Sequence, residues 1–363
     1  MKILELGKYY PPARGGIETL AKSLAEGFVE RGATVECVVA NDARRASVEI
    51  INGVLVRRLA CLGVVLSTPI CIGYSRAALR AEAPIWQTHF PNPNADHAIL
   101  RAPKKVRVVV SYHSDIVRQA FLMRVYRRYV EKSLARADRI VVASPALLEY
   151  SAILQPFRAK CAVIPYGIDA NRFTEAPPQP VPAARRPILL TVGRLVGYKG
   201  HRWLIEAMRN IDATLWIAGS GPLEGELRSQ CAAAGLTERI QFLGDLRDEE
   251  LRARYQACDI FVLPSISANE AFGIVQLEAM ACGKPVINCG LQSGVPWVSQ
   301  HEVTGLTVPA ADSPALAGTI HRLIAEPELA ARLGAAGRER VRTQFAESRM
   351  INDYLNLFQE LAN

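Results

Sequence analysis

The segment Asp259-Ile-Phe-Val-Leu-Pro264, followed after a short loop by Glu270-Ala-Phe-Gly-Ile-Val-Gln-Leu-Glu278, decides the reading of this chain. The apolar run reads as a buried strand, and the residues from Ile274 to Cys282 read as a helix that stops at Gly283. Gly273, at the turn, lets the backbone approach a ligand closely. The amides of Phe272, Gly273, Ile274 and Val275 are expected to be free donors at a helix start, where an anion is favoured. Glu270 precedes the helix and Glu278 lies inside it, so both carboxylates are expected to look into one crevice and accept from hydroxyls. A phosphate on the amides and hydroxyls on the carboxylates together describe a nucleotide sugar. The plainer alternative makes Glu270 a helix cap and Glu278 a solvated surface residue.

Upstream, Gly193-Arg-Leu-Val-Gly-Tyr-Lys199-Gly200 follows the apolar run 188–192. Arg194 can present a two-pronged fork to a phosphate and Lys199 a point charge; two solvated cations are the ordinary alternative. Gly219-Ser-Gly-Pro222 also follows a strand, but a Gly-x-Gly alone reads as a plain turn. Strands are expected at 188–192, 214–218, 240–243, 260–263, 285–288 and 305–308, with helices between them. The chain end, from Pro314, reads as helices.

The first half repeats the pattern. Lys2-Ile-Leu-Glu-Leu6 is a strand, a loop runs to Gly15-Gly16, and Ile17, Leu20, Leu24 and Phe28 mark one face of a helix before the strand 34–40. Further strands are expected at 54–59, 85–89, 107–112, 139–143 and 162–165. This predicts an α/β fold with a doubly wound parallel sheet. The loop after the first strand has no Gly-x-Gly-x-x-Gly, which removes the main support for a dehydrogenase. Between the halves, Glu175-Ala-Pro-Pro-Gln-Pro-Val-Pro-Ala-Ala-Arg-Arg-Pro187 is a stiff linker. The expected division is 1–173, a linker 174–187, and 188–346, with a last helix at about 347–363 crossing back to the first domain.

With 363 residues, half of them hydrophobic, the chain has room for two domains with full cores. Residues 1–172 carry 25 Lys/Arg against 14 Asp/Glu, net +11, and the remainder 18 against 21, net −3. A basic first half calls for an anionic partner such as membrane lipid or a lipid diphosphate; without aromatic-interleaved motifs, nucleic acid is not expected. The helix expected from Arg118 to Ala137 is basic and also carries Phe121, Leu122, Val125 and Tyr129. It reads either as an ordinary amphipathic helix or as an interfacial one. The eight cysteines form no Cys-x-x-Cys pair and read as reduced core residues. Glu5 interrupts the first apolar stretch, which argues against a signal peptide, and the longest apolar run, 62–74, contains Pro69 and is too short to span a bilayer. The expected location is the cytoplasm, with peripheral contact to the inner membrane left open.

Glu-Ala-Phe-Gly-x4-Glu, joined to the Arg194–Lys199 segment, resembles the paired-glutamate signature of retaining glycosyltransferases of the family 4 type, the large family that includes sucrose synthase and bacterial mannosyltransferases. The resemblance spans nearly the whole chain. It implies the GT-B architecture, two Rossmann-like domains facing across a cleft. It implies that Arg194 and Lys199 bind the diphosphate, Glu270 orients the donor sugar and Glu278 holds the ribose. It implies that Gly15-Gly16 closes over the diphosphate and sugar, and that a histidine lies near the hexose. His113, in Tyr112-His-Ser-Asp115, matches that position, with His89 as second candidate. The catalytic set is thus Glu270, His113, Arg194 and Lys199, with Gly15, Gly16, Phe272, Gly273, Ile274, Val275 and Glu278 binding donor.

His89-Phe-Pro-x-Pro and Ser293-Gly-Val-Pro296 look like bacterial mannosyl- or rhamnosyltransferases of surface polysaccharide synthesis. This favours a GDP-mannose-type donor and a saccharide or lipid-linked acceptor, with a UDP-hexose as runner-up. There is no Asp-x-Asp and no metal-spaced cluster, so metal-independent transfer without a cofactor is expected. A nucleotide-sugar epimerase and a non-catalytic nucleotide-sugar sensor remain the rival readings.

Overall fold

A computed structural model describes residues 1–13, 15–65, 68–115, 120–174 and 186–363. The described chain packs as two units, Met1–Tyr166 with Ser348–Asn363, and Gly167–Glu347. Most of the proline-rich linker, 175–185, lies outside the described residues. The segment just before it groups with the second unit. Ile168 bridges to Ala346, and Arg172 pairs with Asp248 at 3.2 Å. The division in packing therefore falls at Tyr166, ahead of the prolines.

The first unit contains β1 (Lys2–Leu6), β2 (Thr34–Ala40), β3 (Ser47–Ile51), β4 (Val54–Leu59), β5 (Cys61–Val65), β6 (Thr68–Cys71), β7 (Ile85–Phe90), β8 (Arg107–Tyr112), β9 (Arg139–Val142) and β10 (Cys161–Val163). Eight of these form one sheet in the order β10-β9-β8-β7-β1-β2-β4-β3. Every pair is parallel except the edge pair β3 and β4. The inner strands are covered on both faces, so they are continuous apolar runs; all six residues of β7 are buried. From β1 the chain winds outward through β2, then restarts on the other side at β7. β1 and β7 therefore flank the switch point, where crevices form outside the carboxyl ends of the strands.

Three strands escape the sequence reading. β3 is announced only by Asn52-Gly53, whose φ angles of 48° and 81° make the two-residue hairpin turn that joins it to β4. β5 and β6 form an antiparallel ribbon apart from the main sheet. Their apolar residues are largely exposed, so most of the run 62–74 stays out of the core, which takes only its end at Tyr74.

The second unit holds β11 (Ile188–Val192), β12 (Thr214–Ala218), β13 (Ile240–Gly244), β14 (Ile260–Leu263), β15 (Val286–Cys289) and β16 (Gly305–Val308) in the order β13-β12-β11-β14-β15-β16, all parallel. Its switch point lies between β11 and β14. Leu189, Leu215, Ile217, Val262 and Ile287 meet Leu204, Leu316 and Ile320 of the covering helices in one core.

The basic helix runs Ala120–Arg136. Arg118 and the side chains of Phe121, Leu122, Arg124 and Val125 lie outside the described residues. Its described inner face is core: Val130 and Leu134 are buried, and Ser133 donates to Asp96 at 2.9 Å. Arg127 and Arg128 are exposed. What is described fits the ordinary amphipathic reading.

The last helix, Glu347–Ala362, buries Met350, Ile351, Tyr354, Leu357 and Phe358, the spacing of one helical face. Phe358 meets Phe28 edge-on with centroids 5.5 Å apart, and the Tyr354 hydroxyl lies 2.8 Å from Ser111 Oγ. The chain end is thus a structural part of the first unit. Phe358→Ala should lower that unit's unfolding free energy by about 3–5 kcal/mol in a denaturant titration, the usual cost of emptying a buried aromatic site. A change below about 1 kcal/mol would mean the helix does not hold the unit together.

Candidate active site

In the second unit the switch point brings two loops together. Gly193–Lys199 leaves the carboxyl end of β11, and Pro264–Gly273 leaves that of β14. The Ile266 amide donates to the Tyr198 carbonyl at 2.8 Å. Gly200 has φ 71°, and a Cβ there would collide with the Pro264 carbonyl oxygen. Only glycine lets these backbones touch, and that closeness sets Lys199 against Glu270. Lys199 Nζ lies 2.6 Å from Glu270 Oε2, with the two side chains 11% and 10% exposed. Ser265 Oγ donates to the same oxygen at 3.0 Å.

The helix Ile274–Ala281 begins beside this pair, capped by Gly273 at φ 72° and ψ 61°. A Cβ on Gly273 would sit 2.8 Å from both Leu263 Cδ2 and Gln276 Nε2. Among the described residues the amides of Gly273, Ile274 and Val275 have no backbone acceptor, while that of Gln276 turns back to the Gly273 carbonyl. The helix start is therefore an open anion site. Buried polar groups lock it in place. Gln276 accepts from Asn288 Nδ2 at 2.9 Å, Asn288 also donates to the Ser299 carbonyl at 3.0 Å, and Gly294 N–H donates to the Ala271 carbonyl at 2.8 Å. Phe272 is buried against Trp297 and Phe345. Arg194 is exposed and has no ion pair among the described residues.

Glu278 differs from expectation. Its Oε2 accepts from the Tyr255 hydroxyl at 2.5 Å, and among the described residues its carboxyl has no hydrogen bond or ion pair with Arg194 or Lys199. Burial pushes its pKa above the ordinary 4.5, opposed by the Tyr255 bond and by the charge of Arg172. Tyr255 lies in the helix Asp248–Ala257 and is fully buried against Phe261 and Phe173. No spacing rule connects it to Glu278, so sequence reasoning missed it, as it missed Ser265.

In the first unit the carboxyl ends of β1, β7 and β8 gather the remaining candidates. Gly15 is extended and Gly16 opens the helix Gly16–Glu30; a Cβ on Gly16 would meet nothing within 4 Å. The chain's own packing leaves that position open. His89 and His113, read as competing candidates, form one array. Glu5 Oε1 lies 2.7 Å from His89 Nε2, His89 Nδ1 lies 2.8 Å from His113 Nε2, and His113 Nδ1 meets the Tyr166 hydroxyl. The imidazoles are nearly parallel at 7°. Both nitrogens of His113 are thus engaged within the protein, and neither is left for a direct hydrogen bond to a sugar in this arrangement. Burial, then the neighbouring His89 and Lys8, hold the His113 pKa well below 6.5, so the ring is neutral at neutral pH. Among the described residues no group of three or more His, Cys, Asp or Glu could hold a metal ion.

Residues 14–172 match the model described as Glycosyltransferase Family 4, and residues 173–340 match Glycosyl transferases group 1. The chain is 32% identical to O-antigen chain mannosyltransferase C of Escherichia coli, covering 99% of both chains. It is also 32% identical to the D-rhamnosyltransferase WbpZ of Pseudomonas aeruginosa, covering 95% of this chain and 92% of that one. Among solved structures it resembles sucrose-phosphate synthase from Thermosynechococcus elongatus, with TM-score 0.79 and 25% identity over 99% of each chain. Anabaena HepE in complex with UDP superposes with TM-score 0.79 at 21% identity, covering 99% of this chain and all of that one.

Tyr255→Phe tests the Glu278 contact. The raised pKa means that Glu278 contributes stability below about 4.5 that is lost as pH rises through the folded-state value. Removing the hydroxyl raises that pKa further. The variant should be about 1–3 kcal/mol less stable than wild type at pH 7.5 in urea, with a smaller gap at pH 4. Equal gaps at both pH values would contradict the assignment. Full-length similarity, both family matches and the paired α/β units establish that the chain belongs to the family 4 glycosyltransferases of GT-B architecture.

Proposed function

We propose that this enzyme transfers a mannose-type hexose from a guanosine diphosphate donor to a saccharide acceptor in surface polysaccharide synthesis, with retention at the anomeric carbon and without a metal. The observation that carries the reading is the Lys199–Glu270 contact beside the open helix start, with an unpaired arginine on the neighbouring loop. The full-length relatives named as mannosyl- and rhamnosyltransferases support the sugar class.

The bond from the anomeric carbon to the diphosphate oxygen breaks, and its electron pair stays on that oxygen. Arg194, Lys199 and the amides of Gly273, Ile274 and Val275 absorb the growing charge. The sugar becomes oxocarbenium-like. The acceptor oxygen bonds the same face of the carbon, and its proton passes to the departing phosphate. Glu270, held by Lys199 and Ser265, orients the sugar hydroxyls. Glu278, held by Tyr255, accepts from the ribose. His113 presents a rigid neutral ring, fixed by His89 and Tyr166, and acts by shape.

Kinetics with GDP-mannose and a saccharide acceptor separate these roles. Glu270→Gln should lower kcat by about 100-fold with donor KM little changed. Glu278→Gln should raise donor KM by about tenfold with kcat nearly preserved. Identical effects of the two changes on both parameters would contradict the division of labour. Activity should also survive EDTA; loss on chelation with rescue by magnesium or manganese would overturn the metal-independent mechanism.

A further inference from the structure

Thirteen large apolar side chains are strongly exposed among the described residues, and eight of them fall between Val48 and Leu79. Scattered exposed apolar residues need no explanation, whereas a concentration of them marks a contact surface. The centre is the ribbon of β5 and β6, where Leu62, Val64, Val65 and Ile70 are 49%, 58%, 55% and 44% exposed, with Ile72, directly after β6, at 76%. The ribbon is anchored and has a fixed place. The Cys61 amide donates to the Ala43 carbonyl at 3.1 Å, Cys61 pairs with Cys71 across the strands, and Asn94 Nδ2 donates to the Pro69 carbonyl at 2.7 Å.

Cations lie on the segments that adjoin the ribbon. Arg44 and Arg45 directly follow Ala43, and Arg76 and Arg80 lie on the helix Tyr74–Arg80 that follows Ile72. All four are exposed, and none has an ion pair among the described residues. The neighbouring Arg57 and Arg58, by contrast, are neutralised by Glu36 and Glu49. An apolar ribbon with unpaired arginines on the segments that adjoin it matches a bilayer interface with anionic headgroups. Behind the ribbon, a cavity of about 870 Å³ is lined by Tyr9, Asn41, Asp42, Arg45, Glu49 and Val64 among others, so one ribbon residue borders both the cavity and the exposed apolar surface.

We propose that the β5–β6 ribbon and Arg44, Arg45, Arg76 and Arg80 dock the first unit on an anionic phospholipid bilayer. The docking does not rest on the function proposed above.

The experiment is flotation of the full chain with vesicles of phosphatidylethanolamine and phosphatidylglycerol (3:1), against vesicles of phosphatidylcholine alone. GDP binding is measured calorimetrically on the same preparations. Wild type should float with the anionic vesicles and lose most of that binding in high salt. Leu62→Ser/Ile72→Ser should weaken it at least tenfold, and Arg76→Ala/Arg80→Ala should weaken it and flatten the salt dependence, with GDP affinity unchanged in both. Flotation of either variant at wild-type strength, or none by wild type, would overturn the proposal. So would a dimer in gel filtration that Leu62→Ser/Ile72→Ser dissolves, which would assign the face to a second copy. Specific flotation without GDP binding would instead leave the docking standing and sink the nucleotide-sugar reading.

Discussion

A lysine ammonium and a glutamate carboxylate 2.6 Å apart, each about nine-tenths removed from water, are a costly thing to build for stability alone. Their mutual attraction offsets desolvation only if the geometry is good and the remaining lone pairs find donors. Ser265 supplies one such donor. The rest of the second unit serves this contact. The parallel order β11-β14 puts two strand ends side by side, Gly200 lets the loops touch, and the Gln276–Asn288–Ser299 network fixes the helix start against them. In the proposed reaction the pair has a further use. Glu270 shields the charge of Lys199 until a diphosphate arrives, and the lysine in turn holds the carboxylate in one orientation.

The first unit has a similar economy. Its switch point gathers the loop of Gly15 and Gly16 and the ends of β7 and β8. The array from Glu5 through His89 and His113 to Tyr166 fixes the imidazoles. With Tyr166 donating to His113 Nδ1, His113 Nε2 donates to His89 Nδ1, and the remaining His89 proton sits on Nε2, 2.7 Å from Glu5 Oε1. Burial raises the Glu5 pKa, and the contact with His89 opposes that rise. The outcome is a buried, neutral His113 held at both ring nitrogens.

Much of this was legible in the sequence where one element carries the signal. The strands 2–6, 34–40, 188–192 and 260–263 are apolar runs bounded by glycine, proline or a charged residue, and the loops after β11 and β14 carry their glycines, cations and carboxylates within a few residues of the strand end. What was not legible depends on neighbours distant in the chain. Tyr255 meets Glu278 because two helices pack side by side, and no local pattern states it. His89 and His113 looked like rivals because only the register of β7 on β8 makes them partners. The ribbon of β5 and β6 was missed for a different reason: composition reports apolarity but not which way it faces. The linker at 175–185 and the start of the basic helix lie outside the described residues.

The central claim is that Arg194, Lys199 and the helix-start amides hold a diphosphate. It is tested most directly by comparing the affinity of the protein for GDP with that for guanosine, in wild type and in Arg194→Ala/Lys199→Ala. Wild type should bind GDP at least about 100-fold more tightly, since two cations and a helix start act on the phosphates, and the variant should lose most of that preference while binding guanosine as before. A variant that keeps the full preference for GDP would show that the phosphates are held elsewhere.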